Sequence, residues 1–382
     1  MPKDEELYQR RFQRYAKAFL LEEPEAIPIE SPFTTTFALE YAGYDLKKDQ
    51  WDPEKVGHAM GKVIDDFDFD FIRNTSFRAP HVYGVLGAKT FVPSETGFMQ
   101  HPEVHGLEAS EYPEFIADPY KTILEKVMPR LYTEMSKSRP YNLIALTRGI
   151  LAHNAFFSKY EEVLNRYIEK NSVVRSFGGK TVAPFDFLAD FIRGFNGISI
   201  DIRRHRQQVK EACEAVLPLL IRQGTLGPKG MGKTVNINIH MLPFIKLKDF
   251  EELYWPTFKK LCEALIEQGY YLSMFFEGDC TRFLDYLQEL PPKKIIAKFE
   301  YGDPALVKEK LGKVMCLQGF YPISLLKTGT KKECIAKADE IVSALAPGGG
   351  YMFYTDKIII RRDDINPENY HAVIEYIRKQ RY

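Results

Sequence analysis

The chain has 382 residues, 45% hydrophobic and 27% charged, with 52 Lys plus Arg against 52 Asp plus Glu and a formal net charge of zero. Those proportions suit a globular chain with a sizeable core, and they leave no overall basic field for a nucleic-acid backbone. No run of 18 apolar residues marks a membrane span, and the charged N-terminus lacks the apolar stretch of a signal peptide. Five cysteines, at 213, 262, 280, 316 and 334, have no paired spacing, which predicts reduced thiols and a cytoplasmic protein.

Taken in order, residues 1–24 read as an amphipathic helix with Tyr8, Phe12, Tyr15, Phe19 and Leu20 near one face. Residues 26–30 read as a first strand. Asp52-Pro53-Glu54 caps a helix that runs to about Asp66. FDFDFIRN is a second strand ending at Arg73 and Asn74. Residues 78–115 lack a helical period and read as a β-ribbon and a long loop, the kind of insertion that serves as a lid or binding loop. His81, His101 and His105 match no metal spacing there and read as loop residues. Asp118-Pro119 opens a helix, and residues 141–146 read as a third strand ending at Thr147-Arg148-Gly149. A long helical region follows to about 226, broken near 176–179.

Residues 235–239 form a fourth strand, with Asn236, Asn238 and His240 in period-2 register. The densest stretch is 270–321. YYLSMFF ends in Glu277-Gly278-Asp279-Cys280, KIIAKF ends in Glu300, and KVMCLQG ends in Gly319, with helical sequence between them. YMFYT is an eighth strand ending at Asp356, and Asn366-Pro367 opens the last helix. Eight strand-like runs, each followed by helix, predict a single α/β domain over 1–382. It is a (β/α)8 TIM barrel over 26–382, preceded by the helical extension and interrupted by the insertion near 78–115. Ligands of such barrels bind beyond the carboxyl ends of the strands. Residues at those ends are therefore candidates: Glu277 and Asp279 as acids, with Cys280 and His240 beside them, and Arg73, Asn74, Arg148 and Gln318 as substrate-orienting groups. The Gly clusters at 229–233 and 348–350 precede strands rather than follow them and read as turns.

CLQGFYPISLLKTGTKKECIAKADEIVSALAPGGGYMF, GDPALVKEKLG and MLPFIKLKDFEELYWPTFKKL together resemble the uroporphyrinogen decarboxylase superfamily, over most of residues 10–380. The resemblance implies the same barrel and two branches of chemistry. The decarboxylases carry an Arg-rich RQAGR motif after the first strand to hold porphyrinogen carboxylates. ESPFTTTFALEYAG stands here with no Arg, which disfavours that lyase activity. The other branch consists of cobalamin-dependent methyltransferases, which implies a separate corrinoid protein as partner and a small methyl donor, a methoxyaromatic among the options. Thiol-methylating members hold zinc through an HxC pair and a further Cys. Phe275 and Glu277 stand at the HxC positions, and no Cys follows the eighth strand. Two arrangements stay open: a metal held by harder ligands such as His240, Glu277 and Asp356, with Cys316 near, or a metal-free site whose carboxylates act as acids. A decarboxylase-like lyase and a non-catalytic corrinoid-protein partner are the competing readings.

Overall fold

A computed structural model describes residues 2–73 and 80–380. Its centre is a five-stranded, all-parallel sheet. The order is β3 (Gly179–Val182), β4 (Thr234–Ile239), β5 (Tyr271–Asp279), β6 (Ile295–Tyr301) and β7 (Cys316–Gly319). A second parallel pair joins β1 (Phe71–Ile72) to β2 (Val174–Arg175). Isolated parallel bridges extend the pairing: Leu317 with Tyr351, Phe353 with Ile29, and Glu30 with Phe71. The expected first and eighth strands are thus present as bridges rather than as regular ladders, and the continuous sheet has five strands rather than eight.

The expected third strand is a correction. Residues 141–146 begin a 30-residue helix, Tyr141–Lys170, whose N-terminal turns leave Leu143, Ile144, Ile150 and Leu151 exposed. A short apolar run cannot be assigned to strand or helix from periodicity alone, and this one runs on into the helix without a proline and through Gly149. Strand pairing falls instead on Val174–Arg175 and Gly179–Val182, the place that read as a break in a helix. The insertion also differs. Pro80–Leu86 is helical, and the ribbon is a short antiparallel pairing of Val92–Pro93 with Met99–Gln100. Helices with Asp-Pro or Asn-Pro caps lie where the sequence places them: Pro53–Asp66, Pro304–Leu311 and Pro367–Lys379, each with the cap side chain accepting a backbone N–H. Among the described residues no helix is long and apolar enough to cross a membrane.

Alternation along the strands separates two faces. Leu272, Met274 and Phe276 of β5 join Ile295, Ala297 and Phe299 of β6 in the main core under the helices, where Phe276 and Phe299 stack at 4.8 Å. The opposite face changes character along its length. At the strands' N-terminal ends Phe71, Val174, Ile296, Cys316 and Met352 form an apolar cluster sealed by Tyr15, Ala18 and Phe19 of the helix Glu5–Phe19. Each fully buried side chain of this size contributes roughly 1.5–3 kcal/mol. Asn236 and Ser273 share the row of Ile296 and Cys316, and one row further along the same face carries Asn238, Lys298 and Gln318, with polar groups persisting to the C-terminal ends.

Candidate functional site

The helical stretch after β3 supplies two carboxylates. Asp186 and Asp190 are four residues apart, the spacing that places side chains on one helical face. The second lies in a π-helical turn, Leu188–Arg193, of the kind that often marks functional positions. Both reach the end of β4. Asp186 is fully buried and accepts hydrogen bonds from the Tyr254 hydroxyl at 2.7 Å, the Met241 N–H at 3.0 Å and the His240 N–H at 3.4 Å. Asp190 Oδ2 lies 2.7 Å from Nδ1 of His240. On its other side, His240 Nε2 lies 3.4 Å from Oε1 of Glu277.

Glu277 owes its placement to the residue that follows it. Gly278 has φ +66°, and a Cβ there would lie 2.6 Å from Pro243. The β5–β6 register shifts between Phe276 and Asp279 at the same point. The Gly278 N–H donates to Glu300 at 2.8 Å, and Glu300 pairs with Lys357 at 2.6 Å. The bulge turns the Glu277 carboxyl toward His240 instead of continuing the ladder.

Electrostatics follow from this packing. Burial by itself would lower the His240 pKa, but the Asp190 hydrogen bond, with Glu277 and Asp186 near, outweighs it and raises the value to about 9. The ring is thus an imidazolium at neutral pH. Asp186 is pushed up to about 7, first by burial and then by the like charge of Asp190. The Glu277 carboxyl is also raised, chiefly by burial, with Glu300 and Asp190 adding to it and His240 opposing it. Its side chain keeps 42% of its surface accessible, which tempers the burial contribution.

A second polar cluster lies deeper on the same face. Glu30 Oε2 accepts from Arg73 Nη2 at 2.9 Å and from Gln318 Nε2 at 2.9 Å, and Lys298 Nζ stands 3.7 Å from its other oxygen. The Lys298 ammonium also lies 3.2 Å from the centroid of the Tyr354 ring.

The remaining expected site residues separate. Arg73 and Gln318 join the deep cluster. Asn74 lies outside the described residues. Arg148 sits on an exposed turn of the helix Tyr141–Lys170 rather than at a strand end, so the reason for naming it is gone. Asp279 is exposed and accepts the Thr281 N–H at 2.9 Å, the role of a turn former. Cys280 is buried, with its thiol pushed up to about 12 by burial.

The metal set is not assembled. His240 and Glu277 touch, but Asp356 accepts from the Ile323 and Lys357 N–H groups, and Cys316 is packed in the apolar cluster at the opposite ends of the strands. Among the described residues no three His, Cys, Asp or Glu side chains are grouped as a metal ion needs. Asp186, Asp190, Tyr254, Glu30 and Lys298 went unnamed in the sequence reading. The DxxxD spacing in APFDFLADF was the one signal available for the first two.

No protein-family model matches the chain, and no curated protein matches it in sequence. Among solved structures it is similar to a methyltransferase from Methanosarcina mazei, with a TM-score of 0.63 and 12% identity over 96% of this chain and 98% of that one. At that identity the likeness speaks to the fold.

Proposed function

We propose that this chain is a methyltransferase subunit that removes a methyl group from a small oxygen-linked donor and delivers it to a corrinoid held on a separate protein. The observation that carries the reading is the His240 ring, held between Asp190 and Glu277 beyond the carboxyl ends of parallel strands. The motifs shared with the uroporphyrinogen decarboxylase superfamily and the methyltransferase fold neighbour support it. They also support closure of the strands and bridges into an eight-stranded barrel, since the bridges run in parallel from Leu317 through Tyr351, Phe353, Ile29 and Glu30 to Phe71. Exposed aromatic side chains near the same strand ends fit a partner bearing a flat macrocycle. Phe244 follows β4 and meets Phe195 edge to face at 5.1 Å, and Tyr301 closes β6.

When bound, the corrinoid supplies the cobalt that takes the methyl group. This chain must then stabilise the oxygen left with the bonding electron pair. His240 holds a proton for it. Asp190 fixes the ring through Nδ1 and leaves the Nε2–H toward Glu277 and the open end of the site. As the carbon–oxygen bond breaks, the Nε2 proton passes to the leaving oxygen, directly or through Glu277, and His240 is reprotonated from solvent. Asp186, Tyr254 and the Met241 N–H hold the backbone of this turn.

Reconstitution with a reduced corrinoid protein and a panel of methyl ethers, followed through the corrinoid's visible spectrum, tests the proposal. His240→Ala is expected to lower the rate by on the order of 100-fold or more and Glu277→Gln by about tenfold or more, the range of general acid catalysis. Undiminished transfer in both variants would remove the acid role. By NMR, His240 is expected to titrate near pH 9, and Asp190→Asn to bring that midpoint down toward the ordinary imidazole value.

A further inference from the structure

We infer that the deep cluster of Arg73, Lys298, Glu30 and Gln318 is a subsite for a carboxylate of the small molecule this protein binds. The cluster is built but incomplete. Arg73 is 4% exposed and Gln318 is fully buried. Among the described residues, Arg73 Nε and Nη1 and Gln318 Oε1 are buried without a hydrogen-bond partner. Two basic side chains, Arg73 and Lys298, face the single carboxylate of Glu30. Buried polar groups are normally paired, and an Arg aims planar N–H donors at carboxylates. The partner that matches the two free Arg73 donors beside Lys298 is a small anion with oxygen acceptors, while the Gln318 oxygen accepts from an N–H or O–H of the ligand or from water.

Position argues that the anion belongs to a ligand rather than to the fold. Asn238 of β4, Phe275 of β5, Lys298 of β6 and Gln318 of β7 are register partners in one row. Ile237 and Ile239 are buried in the main core, so Asn236 and Asn238 face the other side with the cluster. Asn238 is exposed although it lies in a central strand, and Phe275 is only half-buried. This row is therefore open to solvent at its β4–β5 end and buried at Lys298 and Gln318. Asn236 Oδ1, one row deeper, is also unpartnered. His240 and Glu277 stand two residues beyond the Asn238–Phe275 pair on the same strands, about 6–7 Å further along at the rise of a β-strand. Lys298 lies one strand across from Glu277 and two from His240, so a carboxylate at Lys298 would be separated from that pair by roughly 8–12 Å, a span that a substituted ring can bridge. The ligand class is a small monocarboxylate whose reactive atom lies across such a span. As a statement about the methyl donor this rests on the reading above; as a statement about binding it stands without it.

Equilibrium binding to the whole chain, without any corrinoid protein, keeps the two apart. Isothermal titration in chloride-free buffer would compare acetate, benzoate and 4-methoxybenzoate with acetamide, benzamide and 4-methoxybenzamide. At least one carboxylate is expected to bind tenfold or more tighter than its amide. Arg73→Gln and Lys298→Met, each checked for native circular dichroism, are expected to erase that preference. If no carboxylate in the series exceeds its amide, the free donors are served by water and the inference fails. It also fails if the preference survives in both folded variants. Methyl transfer failing with every donor, with the carboxylate preference intact, would overturn the methyltransferase reading and leave the subsite standing.

Discussion

Two ionic clusters in this molecule, each built around one buried carboxylate, differ in how completely they are paired. At one, Asp70 is fully buried and accepts from Arg14 Nη1 at 3.1 Å, Arg378 Nη1 at 2.6 Å and the Ile29 N–H at 2.8 Å. Arg11 and Arg378 also reach Asp68, and Arg14 reaches Glu25. Three cations there meet three carboxylates. The cluster ties the helix Glu5–Phe19, the lead into β1 and the helix Pro367–Lys379 into one joint. At the other, Glu30 meets Arg73, Lys298 and the Gln318 amide, and two Arg73 donors stay unpaired among the described residues. A saturated network holds chain segments together. The unsaturated one is the more deeply buried of the two, with Arg73 4% and Glu30 3% exposed against 55% for Asp68, and each unpaired buried donor costs about 1–3 kcal/mol that a further partner would release.

The comparison breaks if the two clusters respond alike to substitution. Asp70→Ala should have the largest effect, a loss of about 3–5 kcal/mol by chemical denaturation, because it strands buried guanidinium groups. Lys298 comes next. Burial lowers its pKa from 10.5 to about 7, with Arg73 lowering it further and Glu30 opposing both. Between those two values the unfolded chain holds more protons than the folded one, so stability rises with pH across that window. Lys298→Met should lack this slope, a difference on the order of 2–4 kcal/mol between pH 6 and pH 10 at about 1.4 kcal/mol per unit. If variant and parent show the same slope, the ammonium is already satisfied and the cluster is not short of an anion. Arg73→Gln should change stability least, by less than about 1 kcal/mol, because the lost pair with Glu30 is offset by removal of two unpaired donors. A loss as large as that of Asp70→Ala would mark Arg73 as a structural residue.

Much of the frame was legible along the chain. Asp52-Pro53, Asp303-Pro304 and Asn366-Pro367 announce helices because a cap side chain and a fixed φ act within one turn. Apolar alternation announces β4 to β7, and the acidic residue that ends the aromatic run of β5 marks Glu277. The misassigned third strand shows the limit. LIAL is apolar in either structure, and its period does not separate the start of a 30-residue helix from a short buried strand.

The site divides in the same way. The sequence alone determined which polar residues follow which strands, so His240 and Glu277 could be named before any contact was known. It could not set depth or company. Cys316 and Gln318 are two residues apart on one strand, yet the first sits in the apolar plug beneath the N-terminal helix and the second in the ionic row. Asp190 reaches His240 only because a π turn and the β3–β4 pairing bring segments 50 residues apart to 2.7 Å. Glu30 meets Gln318 across 288 residues. Local propensity acts over a few residues. Register and closure of the strands decide which end a side chain occupies, what charge it faces and whether that charge is answered.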